Sequence, residues 1–195
     1  SKARERVPLP LAEKLFLASR LTDAENHHTH WHGYRVLIGD GTYLQMQDSK
    51  VIRELYEVKY NGESSNGYPQ ALLEAVIERG TGQVYAYKLS NRHVSELELF
   101  YDILDQLPVK SILLLDDLYN CYEIIAKCKR LGIEIVVPDK KSRNYELIEA
   151  LEDGCEIVRI NTPKNRSKWA KEREKPGPIL LKRIQCKSPD GKEYV

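Results

Sequence analysis

Two short apolar runs, each ending on an aspartate, constrain this chain more than any other feature. The first is Val36-Leu37-Ile38-Gly39-Asp40, followed by Gly41-Thr42, and the second is Ile112-Leu113-Leu114-Leu115-Asp116, followed by Asp117. Both read as buried-type strands. In an open α/β sheet, ligands and catalytic groups gather outside the carboxyl ends of the strands, where strand order reverses. If the two strands are neighbours, Asp40 stands beside Asp116 in that crevice. Two carboxylates repel one another there unless a cation holds them. Hard divalent ions take oxygen ligands, and two of them about 3.5–4 Å apart clamp a phosphodiester for in-line displacement. An aspartate before glycine is also an ordinary turn residue, so the pairing carries the argument rather than either acid alone. Asp117 competes with Asp116, but a strand would turn it to the opposite face.

The rest of the chain supplies the elements for such a sheet. Pro8 to about Leu21 has the spacing of a helix, with Leu11, Leu15, Phe16 and Leu17 apolar and a Pro8-Leu9-Pro10 entry. Tyr34–Asp40 is the first strand, and Val51–Leu55 suits a helical turn or a short strand. Asn61 to Gly67 holds two Asn-Gly pairs and reads as a flexible loop. Gly80-Thr81-Gly82 and the alternation Val84-Tyr85-Ala86-Tyr87 indicate a hairpin joining strands at 70–79 and 83–89. Ser95 with Glu98 forms a capping-box pattern for a helix reaching about Gln106. Strand four is Ser111–Asp116. A helix over Tyr122–Leu131 ends at Gly132, and strand five is Ile133–Val137, stopped by Pro138. Strand–helix–strand here is a right-handed parallel crossover. The order β-β-β-α-β-α-β is that of a ribonuclease H-like mixed five-stranded sheet: a three-strand meander plus two parallel strands. In that arrangement strand one is central and strand four lies beside it. After Pro138 a helix is expected over Tyr145–Leu151, with strands at Cys155–Ile160 and Ile179–Ile184. The division expected is a linker helix and loop over 1–33, the first part of a core over 34–138, and a β-rich insertion over 139–195.

Composition bounds the partners. The 195 residues are 42% hydrophobic and 30% charged, a globular balance, and the net charge of +1 gives no global field toward nucleic acid. No apolar run reaches the roughly 20 residues that cross a bilayer. Cys121, Cys128, Cys155 and Cys186 lack C-x-x-C spacing, which fits reduced thiols in a cytoplasm. The start at Ser1, without methionine or signal segment, reads as a piece of a longer protein. Local basic patches remain the route to DNA. Lys164, Arg166, Lys168, Lys171, Arg173 and Lys175 surround Trp169, and Lys140, Lys141 and Arg143 follow strand five. Such density neutralises phosphates, and an aromatic among cations can stack on an unpaired base. Glu172 and Glu174 interrupt the strip, as they would on a solvated surface. His27, His28, His30 and His32 lack the cysteine or acidic partners of a structural zinc site, so an exposed loop is the simpler reading.

Several segments in order resemble one family. Trp31-His32-Gly33-Tyr34-Arg35-Val36 leading to Asp40-Gly41-Thr42-Tyr43-Leu44, then Gly67-Tyr68-Pro69-Gln70, then Leu113-Leu114-Leu115-Asp116-Asp117-Leu118-Tyr119 with Tyr122-Glu123, resemble the catalytic core of bacterial insertion-sequence transposases of the DDE type, in the fourth insertion-sequence family. Ser1-Lys2-Ala3-Arg4-Glu5-Arg6-Val7-Pro8 resembles the linker before that core, and Gly132-Ile133 and Arg159-Ile160 with the Lys/Arg-Trp cluster resemble the start of its insertion. The resemblance implies Asp40 and Asp116 as catalytic metal ligands, two Mg²⁺ or Mn²⁺ ions, and DNA strand cleavage and transfer in cut-and-paste transposition. It implies transposon ends and target DNA as partners, a homodimer on paired ends, and a bacterial cytoplasmic, nucleoid-associated setting without a membrane. It also implies that the insertion contacts DNA. Two departures matter. The family has arginine after the second acid, where this chain has Asp117. Its third acid is a glutamate in a Tyr-x-x-Arg-x-x-x-Glu helix, a pattern this sequence lacks. Glu172, Glu174 and Glu193 do not sit in that motif. The fragment is therefore expected to stop inside the insertion and to be inactive alone. A catalytically dead DNA-binding remnant is the competing reading. An unrelated Mg²⁺-dependent nuclease on an all-parallel sheet is another, and it requires that strands 70–79 and 83–89 not pair antiparallel.

Overall fold

The computed structural model describes residues 8–20, 30–56, 59–60, 63–64, 67–91, 93–140, 143–152, 154–187 and 193–194. Its centre is a five-stranded sheet made of β1 (Arg35–Gln45), β2 (Gln70–Glu78), β3 (Val84–Asn91), β4 (Ser111–Leu114) and β5 (Glu134–Val136). The spatial order is β3-β2-β1-β4-β5. β1 pairs antiparallel with β2 and parallel with β4, β2 pairs antiparallel with β3, and β4 pairs parallel with β5. This is the ribonuclease H-like arrangement, and the antiparallel β2–β3 pair excludes the all-parallel alternative. The strand bearing Asp40 runs longer than the sequence suggests. It continues to Gln45 because β2 keeps pairing as far as Gln45↔Gln70 after β4 has stopped at Ile38↔Leu114.

One face of the sheet carries the core. Leu37 on β1, Val76 on β2, Ala86 on β3 and Leu113 on β4 pack against Phe100 and Ile103 of α3 (Glu96–Ile103) and Ile124 and Cys128 of α4 (Tyr122–Leu131). A 3₁₀ turn, Leu104–Gln106, extends α3 to the expected end. Ser95 is the N-cap, but its side chain makes no cap bond, so the capping box does not form. Gly132 closes α4 in the left-handed conformation (φ 68°), its N–H donating to the Cys128 and Lys129 carbonyls. Arg35 and Glu78 form an ion pair at 2.5 Å inside the sheet, both side chains buried. Burial pushes the Cys128 thiol up to about 12, as suits a core thiol.

Outside the sheet, α1 (Leu9–Ser19) forms as expected but buries none of its residues, and it touches β3 through Phe16 against Tyr87. Residues 50–56 form a helix, α2 (Lys50–Tyr56). The expected flexible loop at 61–67 lies outside the described residues except for a two-residue ladder, 59–60 with 63–64, and Gly67.

The helix expected over Tyr145–Leu151 is instead a strand, β6 (Glu146–Ala150). It pairs antiparallel with β7 (Glu156–Ile160), which pairs with β8 (Ile179–Arg183) in a separate three-stranded sheet. Glu, Leu, Ile and Ala favour a helix in isolation, and the ladder to β7 overrides that preference. A short helix not foreseen, α5 (Lys168–Arg173), sits in the basic stretch between β7 and β8. Ile160 and Ile179 pack on Tyr122 and Ile125 of α4, which joins the second sheet to the first.

Close packing at Gly39 gives a test. A Cβ built there would lie 2.6 Å from both Leu115 Cδ2 and Phe100 Cε2. Gly39→Ala should therefore cost about 1–3 kcal/mol by overpacking, read as a lower urea midpoint.

Candidate active site

Alternation along β1 separates its residues by face. Gly39 and Gly41 face the α3 side, where their missing side chains leave room for Phe100, Leu115, Glu74 and Glu96. Asp40 therefore faces the other side, and it is exposed. Leu113 on β4 and Leu115 just after it are buried in the α3-side core, and Asp116, next in the chain, is exposed. The parallel register runs from Arg35↔Ser111 to Ile38↔Leu114. Two residues beyond that last pair, Asp40 still lies on β1, whereas Asp116 lies in the loop that follows β4. Both acids are exposed, and each follows the last β1–β4 pair by two residues. Asp40 Oδ1 accepts the Gly41 N–H at 2.9 Å, and Asp116 Oδ1 accepts the Leu118 N–H at 2.9 Å. The second oxygen of each has no protein partner among the described residues. Asp117 instead lends its backbone carbonyl to the Asn120 N–H.

Two acids that sequence reasoning missed lie on the other side of β1. Glu74, on β2 and paired with Gly41, is fully buried. Glu96 begins α3. The Tyr119 hydroxyl contacts both, at 3.0 Å to Glu74 Oε2 and 3.1 Å to Glu96 Oε1. Burial pushes the Glu74 carboxyl up to about 8; the Tyr119 hydrogen bond opposes this, while the charges of Glu96, Asp40 and Asp116 add to it. Burial and the same two glutamates push the Tyr119 hydroxyl far up, so it stays protonated. Glu74 is visible in the sequence as the lone charge in Ala71-Leu72-Leu73-Glu74-Ala75-Val76-Ile77. Among the described residues, no three His, Cys, Asp or Glu side chains gather closely enough to cage an ion.

The basic residues divide. Arg166 is buried, ion-paired with Glu123 at 2.9 Å and bonded to the Ala170 and Glu174 carbonyls. Arg173 pairs with Asp102 at 2.5 Å and Glu98 at 3.2 Å, which fastens α5 to α3. Arg143 donates to the Asn120 carbonyl at 2.5 Å. Trp169 is half-buried against the main core, 5.5 Å from the Tyr101 ring, so it packs rather than offering a face to a base. Hydrogen bonds and packing within the protein engage these four members of the expected DNA-facing set. Lys164, Lys168 and Lys171 remain exposed, and Lys140 Nζ reaches the Leu118 carbonyl at 3.4 Å beside the Asp116 loop. Lys141, His27 and His28 lie outside the described residues. His32 packs edge-on to Trp31. Glu174 is buried and accepts from Tyr101 and Arg130.

The sequence profile described as the transposase DDE domain matches residues 31–185. A comparison with curated proteins returns no match. Among solved structures, the chain is similar to the Mos1 transposase paired-end complex with left transposon end, at 11% identity and TM-score 0.35, over 52% of this chain and 34% of that one. It is similar to the Mos1 strand transfer complex at 13% identity and TM-score 0.33, over 52% and 34%. The chain thus matches about a third of the length of each.

Glu74 makes stability depend on pH. Between 4.5 and about 8 the unfolded chain releases this proton while the folded chain keeps it. Stability should therefore fall as pH rises through that window, by at most about 1.4 kcal/mol per pH unit. Glu74→Gln keeps the shape without the titration and should flatten the slope, measured by urea unfolding across a pH series.

Proposed function

The chain belongs to the transposase DDE-domain family, and from that premise we propose that Asp40 and Asp116 hold a divalent ion for cleavage and transfer of DNA strands. The observation that supports this reading is the parallel pairing of β1 with β4, which ends two residues before each acid. Their donor chemistry fits such an ion. Each carboxylate spends one oxygen on a backbone N–H and keeps the other for a ligand. Mg²⁺ commonly takes one or two carboxylates and completes its octahedron with water and substrate phosphate. When bound, the ion polarises the phosphodiester and acidifies the attacking water or 3′-hydroxyl.

The chain's own groups do the rest. Asp40, on the central strand, is fixed by pairing on β2 and sets the height of the site. Asp116 closes it from the loop after β4. Lys140, beside that loop, supplies positive charge for a phosphate. Lys164, Lys168 and Lys171 offer further phosphate contacts from residues 139–195, which we read as the insertion after a core over 34–138. Residues 1–33 are the linker. In this reading the parent protein acts in cut-and-paste transposition with two Mg²⁺ or Mn²⁺ ions, as a dimer on paired transposon ends in a bacterial cytoplasm. The described residues include no helix long and apolar enough to cross a membrane. The sequence lacks the Tyr-x-x-Arg-x-x-x-Glu pattern, so ion binding tests the site more directly than turnover.

Calorimetry with Mn²⁺ should detect binding to the wild type and none to Asp40→Asn. Equal binding by both would overturn the assignment, and DNA binding without any Mn²⁺ binding would favour the remnant. Separately, changing Lys164, Lys168 and Lys171 to Gln should weaken binding to duplex DNA. It should also lower the slope of log K against log salt by about 0.9 for each phosphate that these lysines neutralise in the wild type.

A further inference from the structure

Asp116 lies outside the sheet. The last bond of that strand edge is Leu115 N–H to the Val136 carbonyl, and pairing with β1 ends at Leu114. For the two acids to share an ion, something other than the ladder must hold Asp116 toward Asp40. Tyr119 and Asn120 are buried in the loop 116–120, and the Tyr119 ring lies 4.4 Å from Phe100 with its hydroxyl between Glu74 of β2 and Glu96 of α3. Gly41 makes this contact possible, because a Cβ there would lie 2.4 Å from Glu74 Oε1 and 2.5 Å from Glu96 Oε1. Asn120 ties the far end of the loop, giving its side-chain N–H to the Pro138 carbonyl at 2.7 Å.

We propose that Tyr119, clamped by Glu74 and Glu96 through the gap at Gly41, is a positioning residue that sets Asp116 opposite Asp40. The inference rests on the reading of those two acids as the ion site. The brace reaches the loop from behind the sheet, three residues after the acid it positions. It joins β2, α3 and the Asp116 loop at a single hydroxyl, so loosening it frees Asp116 without breaking a strand. A tyrosine serving only as core filling would leave the acid's placement unaltered when the hydroxyl alone is removed.

Two measurements on Tyr119→Phe separate these roles. In the metal-free protein, amide exchange by NMR should accelerate about tenfold at Leu118, whose N–H bonds Asp116, relative to Leu113 in β4. Mn²⁺ affinity should fall about tenfold in calorimetry, a loss of about 1.4 kcal/mol. Glu74→Gln retains a partner for the hydroxyl and should keep wild-type values in both, whereas Glu74→Leu should behave like Tyr119→Phe. Proportionate acceleration at Leu118 and Leu113 would overturn the brace, as would wild-type Mn²⁺ affinity in Tyr119→Phe. If the wild type binds no Mn²⁺, the ion-site reading fails, and the exchange ratio alone decides whether Tyr119 holds the loop. If Tyr119→Phe does not fold, Glu74→Leu against Glu74→Gln gives the same comparison.

Discussion

Close approach of α3 to the central strand is the constraint that the rest of the molecule accommodates. β1 presents glycine twice on that side, at 39 and 41, and four side chains fill the space. Phe100 and Leu115 meet over Gly39, and Glu74 and Glu96 meet over Gly41. The first meeting is apolar and adds to the core. The second brings two carboxyl groups out of water, which is costly unless a proton or a donor compensates. Tyr119 supplies the donor, and the raised affinity of Glu74 for its proton removes one charge.

That arrangement gives four acids in one neighbourhood two distinct chemistries. Asp40 and Asp116 are exposed, and each keeps one oxygen outside the hydrogen bonds of the described residues. Glu74 is buried and protonated through the neutral range, which suits it to hold structure rather than metal. The backbone of β1 is the partition between them. Such a division lets a site carry high negative charge on its working side while the supporting side stays close to neutral.

Much of this is legible in the sequence, for identifiable reasons. The sheet order follows from strands with clear endings: the glycine turn at 80–82, Gly132 after α4, and Pro138 after β5. β6 is not legible, because Glu146-Leu147-Ile148-Glu149-Ala150 has no local reason to be a strand and becomes one only by pairing with β7. The basic stretch misleads in a related way. Arg166 looks like a solvent-facing cation in the sequence, but its side chain is buried against Glu123, a partner distant in the chain. Glu96 reads only as part of a helix start, since nothing local reveals that Tyr119 reaches it.

The face-by-face alternation of β1 also bears on how such a site can change in evolution. Point substitutions on the exposed side alter ligands one at a time, but an indel of one residue between Arg35 and Gly39 would shift the phase of everything after it. Asp40 would turn into the space kept clear by glycine, and a glycine (Gly41 after a deletion, Gly39 after an insertion) would take its place on the exposed face. The strand can therefore drift in composition while its length stays locked, so the count of residues ahead of the first acid is as much a part of the site as the acid itself.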